Sequence, residues 1–96
     1  RRNEQLLAEE RQLHAELPDL RHWVTELRRR APRGRAIARL RQLRRLLRDY
    51  PEAPLRDALH DASHYGLYDL ERIETMVLRN IRHDYFPLRD FDDDQD

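Results

Sequence analysis

The chain has no cysteine, which excludes a disulfide framework and any thiolate metal site. Its two glycines, Gly34 and Gly66, are too few for a glycine-rich loop that cradles phosphate. The single serine, Ser63, stands beside His64, but adjacency in sequence does not place a nucleophile against a base in space. No carboxylate shows a recognisable pairing with a base either, so neither catalytic residues nor a cofactor are expected. No apolar run approaches the roughly 18 residues of a membrane span, and nothing resembles a signal peptide; a soluble, intracellular protein is the expectation. Lysine is missing as well: all 19 residues counted as Lys or Arg are arginine, a bias that an arginine-rich, high-GC genome produces by itself. The first residue is Arg1 rather than methionine, which reads as a fragment of a longer protein.

What is present is charge, unevenly distributed. The formal net charge of the 96 residues is zero. From Arg1 to Arg48, however, 14 arginines face 6 acids, a net of +8, whereas from Asp49 to Asp96, 5 arginines face 13 acids, a net of −8. Such a chain can pair with itself head to tail, or offer one end to a polyanion and the other to a basic partner. With 40% charged and 39% hydrophobic residues it can fold only by gathering its apolar side chains on a few faces.

Those faces have helical spacing throughout, and no segment alternates with the period of two that a strand requires. Residues Asn3 to Leu17 are good helix formers, with Leu6, Leu13 and Leu17 in heptad-like register. Pro18 stops that helix and Asp19 is placed to cap the next, in which Leu20, Trp23, Val24 and Leu27 form one apolar stripe. Trp23 reads there as a core anchor rather than a base-stacking residue. Pro32 and Gly34 mark a break. A third helix follows from Arg35 to Tyr50, with Ala36, Leu40, Leu43, Leu47 and Tyr50 as its buried seam. Pro54 suits the first turn of a fourth helix whose inner face is Leu55, Ala58, Leu59, Ala62 and Tyr65, ending at Gly66. Asp69 caps a fifth, with Tyr68 stapled against Ile73 and an apolar face of Leu70, Ile73, Met76, Val77 and Ile81 interrupted by Asn80. Around Pro87, Tyr85, Phe86 and Leu88 read as a segment packing back on the helices, and Arg89 to Asp96 is too charged to bury and is expected to be disordered unless bound. The fold class is all-α: a small bundle of about four to five short helices. Residues 1–34 form N-terminal helices and a basic elbow, 35–88 a C-terminal helical bundle, and 89–96 an acidic tail.

The densest feature is RRRAPRGRAIARLRQLRRLLR, Arg28 to Arg48, with ten arginines and no acid. Guanidinium groups bind phosphate bidentately and release condensed counterions, so the block suggests a polyanion without specifying any base sequence. Arg28, Arg29, Arg30, Arg33 and Arg35 fall in or beside the elbow; Arg41, Arg44, Arg45 and Arg48 fall on the helix side opposite the leucines. The alternative is a solvated face balanced by the acidic half. A helix-turn-helix reading around Gly66 fits poorly: Asp61 and Arg72 stand where buried apolar residues belong, and Asp69, Glu71 and Glu74 would repel phosphate. An ordinary helical hairpin suits the residues better. His60 and His64 have a spacing that places two imidazoles on one metal, but a third ligand is not evident, and no metal site is expected. In the tail, Phe91 stands as an apolar anchor among Asp90, Asp92, Asp93 and Asp94, a pattern that fits either a docking peptide or a solvating terminus.

From Tyr65 the sequence reads YGLYDLER and continues as IETMVLRNIRHDYFPL; it is preceded by LRRLLRDYPEAPLRDALHDASH and by the lead-in ELPDLRHWVTELRRRAPRGRAIARLRQL. In order and spacing, about Leu17 to Leu88 resembles the region after the catalytic domain of IstA-type insertion-sequence transposases. That family uses an Asp, Asp, Glu metal-dependent core for DNA strand transfer and works with an AAA+ helper ATPase, IstB. No catalytic triad maps onto these residues. The resemblance implies a bacterial, cytoplasmic, nucleoid-associated protein. Its partners would be DNA at the transposon end or target, other transposase copies and the helper ATPase, with no membrane. Protein contacts are expected at Tyr65, Tyr68, Asp69, Tyr85, Phe86 and Phe91. A pure protein-interaction module, or a small free-standing DNA-binding regulator, remains the alternative.

Overall fold

The computed structural model describes residues 2–85, with side chains from residue 4 to residue 84. Phe86, Phe91, the Tyr85 side chain, the segment around Pro87 and the acidic tail lie outside the described residues. The described residues form an all-α bundle of five helices: α1 (Arg2–Glu16), α2 (Arg21–Arg30), α3 (Ala36–Asp49), α4 (Glu52–Tyr65) and α5 (Leu70–Tyr85), with a 3₁₀ turn at Pro18–Leu20. Helix α3 packs against each of the other four, while α4 and α5 form a closely packed hairpin. The body measures 53 × 21 × 19 Å, with a radius of gyration of 15.1 Å. About 12 Å is usual for a compact chain of this size, so the bundle is elongated.

One hydrophobic cluster joins all five helices. It runs from Leu13 and Leu17 through Leu20, Trp23, Val24 and Leu27, then Leu40, Leu43 and Leu46, to the inner faces of α4 and α5. The stripe expected in α2 is buried in full. In α3 the seam is rotated from the expected one: Leu46 is buried, whereas Ala36, Leu47 and Tyr50 are half-buried. A helix surrounded by four neighbours buries a wider arc than a single heptad seam, and the flank carrying Leu46 is covered. Tyr50 still contributes a contact, donating its hydroxyl to Glu74 Oε2 on α5 at 2.6 Å. That hydrogen bond, with desolvation and the nearby Glu74 and Asp49 charges, raises the phenol pKa above its ordinary value.

The ends of the hairpin follow the residue chemistry. Gly66 takes φ +66°, and Leu67 N–H reaches back to the Ala62 carbonyl at 2.8 Å, the six-to-one bond that closes a helix on a left-handed residue. Asp69 Oδ1 then accepts the amides of Glu71 and Arg72 at 3.1 and 3.3 Å, capping α5. Near the other end of α5, Asn80 Nδ2 donates to the Pro54 carbonyl at 3.0 Å, which satisfies the polar residue interrupting that face.

Two further expectations are corrected. Tyr65 is 77% exposed rather than on the inner face of α4, because it stands in the last turn, beyond the cover of α5, with its ring edge-on to His64. Asp19 does not cap α2; the 3₁₀ turn intervenes, and its carboxylate reaches α4 instead, 2.9 Å from His60 Nε2 and 3.7 Å from Arg56. Tyr68 packs against the core with its ring stacked on Trp23, 5.8 Å between centroids.

Candidate nucleic-acid interface

The elbow between α2 and α3 is built by a four-residue turn. Arg35 N–H donates to the Pro32 carbonyl at 2.9 Å, and Gly34 supplies the left-handed position at φ +79°. Arg33 and Arg35 are exposed on this turn, and among the described residues neither has a carboxylate within ion-pair distance.

Most of the other arginines expected to contact phosphate are already paired within the fold. Arg41 and Arg44 both reach Glu9 on α1, at 3.0 and 3.1 Å. Arg28 Nε lies 2.6 Å from Glu10 Oε1, an ion pair whose angle does not meet hydrogen-bond geometry. Arg29 and Arg30 share Glu26, at 3.9 and 3.2 Å, and Arg48 contacts its neighbour Asp49 at 3.0 Å. Arg30 also lies over the Tyr68 ring, 4.4 Å from its centroid. Among the described residues, Arg45 on the ridge and Arg39 beside it have no acidic partner. This neutralisation is not legible in the sequence, because Glu9 and Glu10 are 32 and 18 residues from their partners Arg41 and Arg28, and no periodicity links them.

Partial burial alone would raise the Glu9 carboxyl, but the hydrogen bonds from Arg41 and Arg44, reinforced by their charges, outweigh it and hold the pKa below the usual 4.5. A depressed carboxylate contributes stability that is complete above its unfolded-state pKa and is lost as pH falls through the folded one. Glu9→Gln should therefore lower stability by about 1 kcal/mol near pH 7 and flatten its fall below about pH 4.5. Urea unfolding at several pH values checks this; an unchanged acid limb would remove Glu9 from the account.

The ridge overlooks an open groove of about 650 Å³ between α1, α3 and α4. Of its three leucines, Leu47 is half-buried, while Leu17 and Leu55 belong to the core and are only 1% exposed. Five arginines (Arg41, Arg44, Arg45, Arg48 and Arg56) line it against three glutamates, Glu9, Glu16 and Glu52. Of the residues expected to make protein contacts, Tyr65 offers an exposed ring, Tyr68 is committed to Trp23, and Asp69 to its cap. Among the described residues no group of three His, Cys, Asp or Glu is placed to hold a metal ion, and no helix is long and apolar enough to cross a membrane.

Comparison with protein-family models, with curated proteins and with solved structures found no match for this chain.

Proposed function

We propose that this chain is a non-catalytic helical module of a DNA transposase, contributing phosphate contacts and protein contacts during transposition. The observation that carries the DNA role is the set of guanidinium groups within the Arg28 to Arg48 block that have no carboxylate partner among the described residues. Arg33 and Arg35 on the elbow, with Arg39 and Arg45 on α3, stand against six arginines already neutralised within the fold. Unpaired guanidinium groups gain most from phosphate, since binding does not first break an internal pair. The electrostatic footprint therefore centres on the elbow and one flank of α3 rather than on the whole ridge. Transposon-end or target DNA, further transposase copies and an IstB-type helper ATPase are the partners this reading names.

Replacing Arg33, Arg35, Arg39 and Arg45 together with glutamine should weaken binding to duplex DNA and reduce the slope of log K against log salt by about 3 to 4, near 0.9 per lost phosphate contact. Replacing Arg41 and Arg44 should change that slope less. Fluorescence anisotropy across a salt series checks both, and equal slopes for the quadruple variant and the parent protein would end the DNA reading. A second reading, a protein-interaction module without DNA contact, is favoured by the extent of internal pairing. Binding of the helper ATPase in the absence of DNA, with no measurable DNA affinity, would select it.

A further inference from the structure

Glu9, on α1, bridges two arginines of α3. Its Oε2 accepts from Arg41 Nε at 3.0 Å and its Oε1 from Arg44 Nη1 at 3.1 Å, so each carboxylate oxygen meets its own guanidinium group. Arg41 and Arg44 stand three residues apart on one helix, a spacing that lets both side chains reach the same anion. A phosphate group offers the same arrangement, with two charged oxygens on one centre facing two guanidinium donors. We propose that Arg41 and Arg44 form a phosphate seat on α3, held at rest by the Glu9 carboxylate, which a polyanion must displace. The proposal rests on the phosphate-binding reading of this helix and adds a resident competitor to it.

The Glu9 carboxyl stays ionised: burial opposes its charge, but the hydrogen bonds from Arg41 and Arg44 outweigh that effect. The two arginines remain open to solvent, with 55% of the Arg41 side chain and 37% of the Arg44 side chain exposed, so an incoming anion reaches them without entering the core. Glu10, next in sequence, keeps α1 in place through Thr25 and Arg28, and Glu9 can therefore leave by side-chain rotation alone. Arg45, adjacent to Arg44 and one helical turn from Arg41, has no acidic partner among the described residues. A polyanion held at Arg45 brings its next phosphate beside the Glu9 pair. A single carboxylate on half-exposed arginines is a weak competitor in water, whereas each phosphate of a polymer also gains from counterion release.

The experiment compares Glu9→Gln with Glu16→Gln in the full chain, on heparin and on duplex DNA. Both variants lose one negative charge from α1 beside the same groove. Glu16, however, accepts a hydrogen bond from Gln12 at 3.3 Å and, among the described residues, has no arginine within ion-pair distance. Glu9→Gln should therefore elute from heparin at higher salt than Glu16→Gln. On DNA it should steepen the slope of log K against log salt by about 2, near 0.9 for each arginine released. Adding Arg41→Gln with Arg44→Gln should remove that gain in the Glu9→Gln background and change the parent slope much less. Equal heparin elution of Glu9→Gln and Glu16→Gln would overturn the proposal. So would an equal loss of slope from the arginine pair in both backgrounds, since those arginines would then reach phosphate with Glu9 in place. Later heparin elution of Glu9→Gln, with no DNA affinity in any variant, would uphold the seat and end the DNA reading alone.

Discussion

Trp23→Ala should destabilise the fold by about 3 to 5 kcal/mol, the usual range for emptying a fully buried aromatic site. Domains of this size have only about 5 to 15 kcal/mol in total, so the urea midpoint should fall by a large fraction of its value. Three links fail together. The indole is 1% exposed in the main cluster, its Nε1–H donates to the Leu67 carbonyl at 3.0 Å, and its ring supports Tyr68. The hydrogen bond joins α2 to the turn between α4 and α5, 44 residues later, so the substitution also loosens the seating of the hairpin. Trp23→Phe separates the contributions: most of the buried area is kept, the Leu67 carbonyl loses its donor, and a loss of about 1 to 2 kcal/mol is expected. Both are read by far-UV circular dichroism under urea, because the sole tryptophan is the residue removed. A Trp23→Ala protein unfolding at the parent midpoint would show that Trp23 does not anchor the core.

Glu10→Ala should be the next most damaging single change. Glu10 is 8% exposed, the one buried charged residue among the described residues. It accepts the Thr25 hydroxyl at 2.9 Å, lies 2.6 Å from Arg28 Nε and stands 3.5 Å from His14 Nε2. With the Thr25 proton directed at Glu10, the 3.1 Å contact between His14 Nε2 and Thr25 Oγ1 requires the imidazole to donate. Removing the carboxylate leaves a buried Arg28 Nε without its counter-charge. Breaking a fully buried pair from one side costs about 3 to 5 kcal/mol, but the Arg28 side chain is 30% exposed, and solvent screening brings the expectation to about 2 kcal/mol. A double-mutant cycle with Arg28→Ala should show coupling of about 1 kcal/mol, and strict additivity would mean the two groups do not act as a pair.

The helices were legible because their signals are local. Leu20, Trp23, Val24 and Leu27 repeat at helical spacing and are buried together; Gly66 and Asp69 sit where a helix end and a cap require those side chains. What could not be read depends on which helices meet. Leu46 replaces Leu47 and Tyr50 in the α3 seam because four neighbours surround that helix. Asp19, a plausible cap by position, is drawn to His60 and Arg56 across 41 and 37 residues. The same holds for the candidate site. The sequence marked the arginines as a block, but only the packing of α1 against α2 and α3 determines which of them spend their charge on Glu9 and Glu10.

That packing makes α1 an electrostatic cover as well as a structural member. It rests on the bundle through Leu13 and the partly buried Leu6, and two consecutive carboxylates on it hold Arg28, Arg41 and Arg44. Lifting this one helix would unmask three guanidinium groups at once: Arg41 and Arg44 on the α3 flank that adjoins Arg45, and Arg28 on α2. The attraction of the surface for anions would then rise in a single step, set by the opening of one helix rather than by any change in sequence or ionic strength.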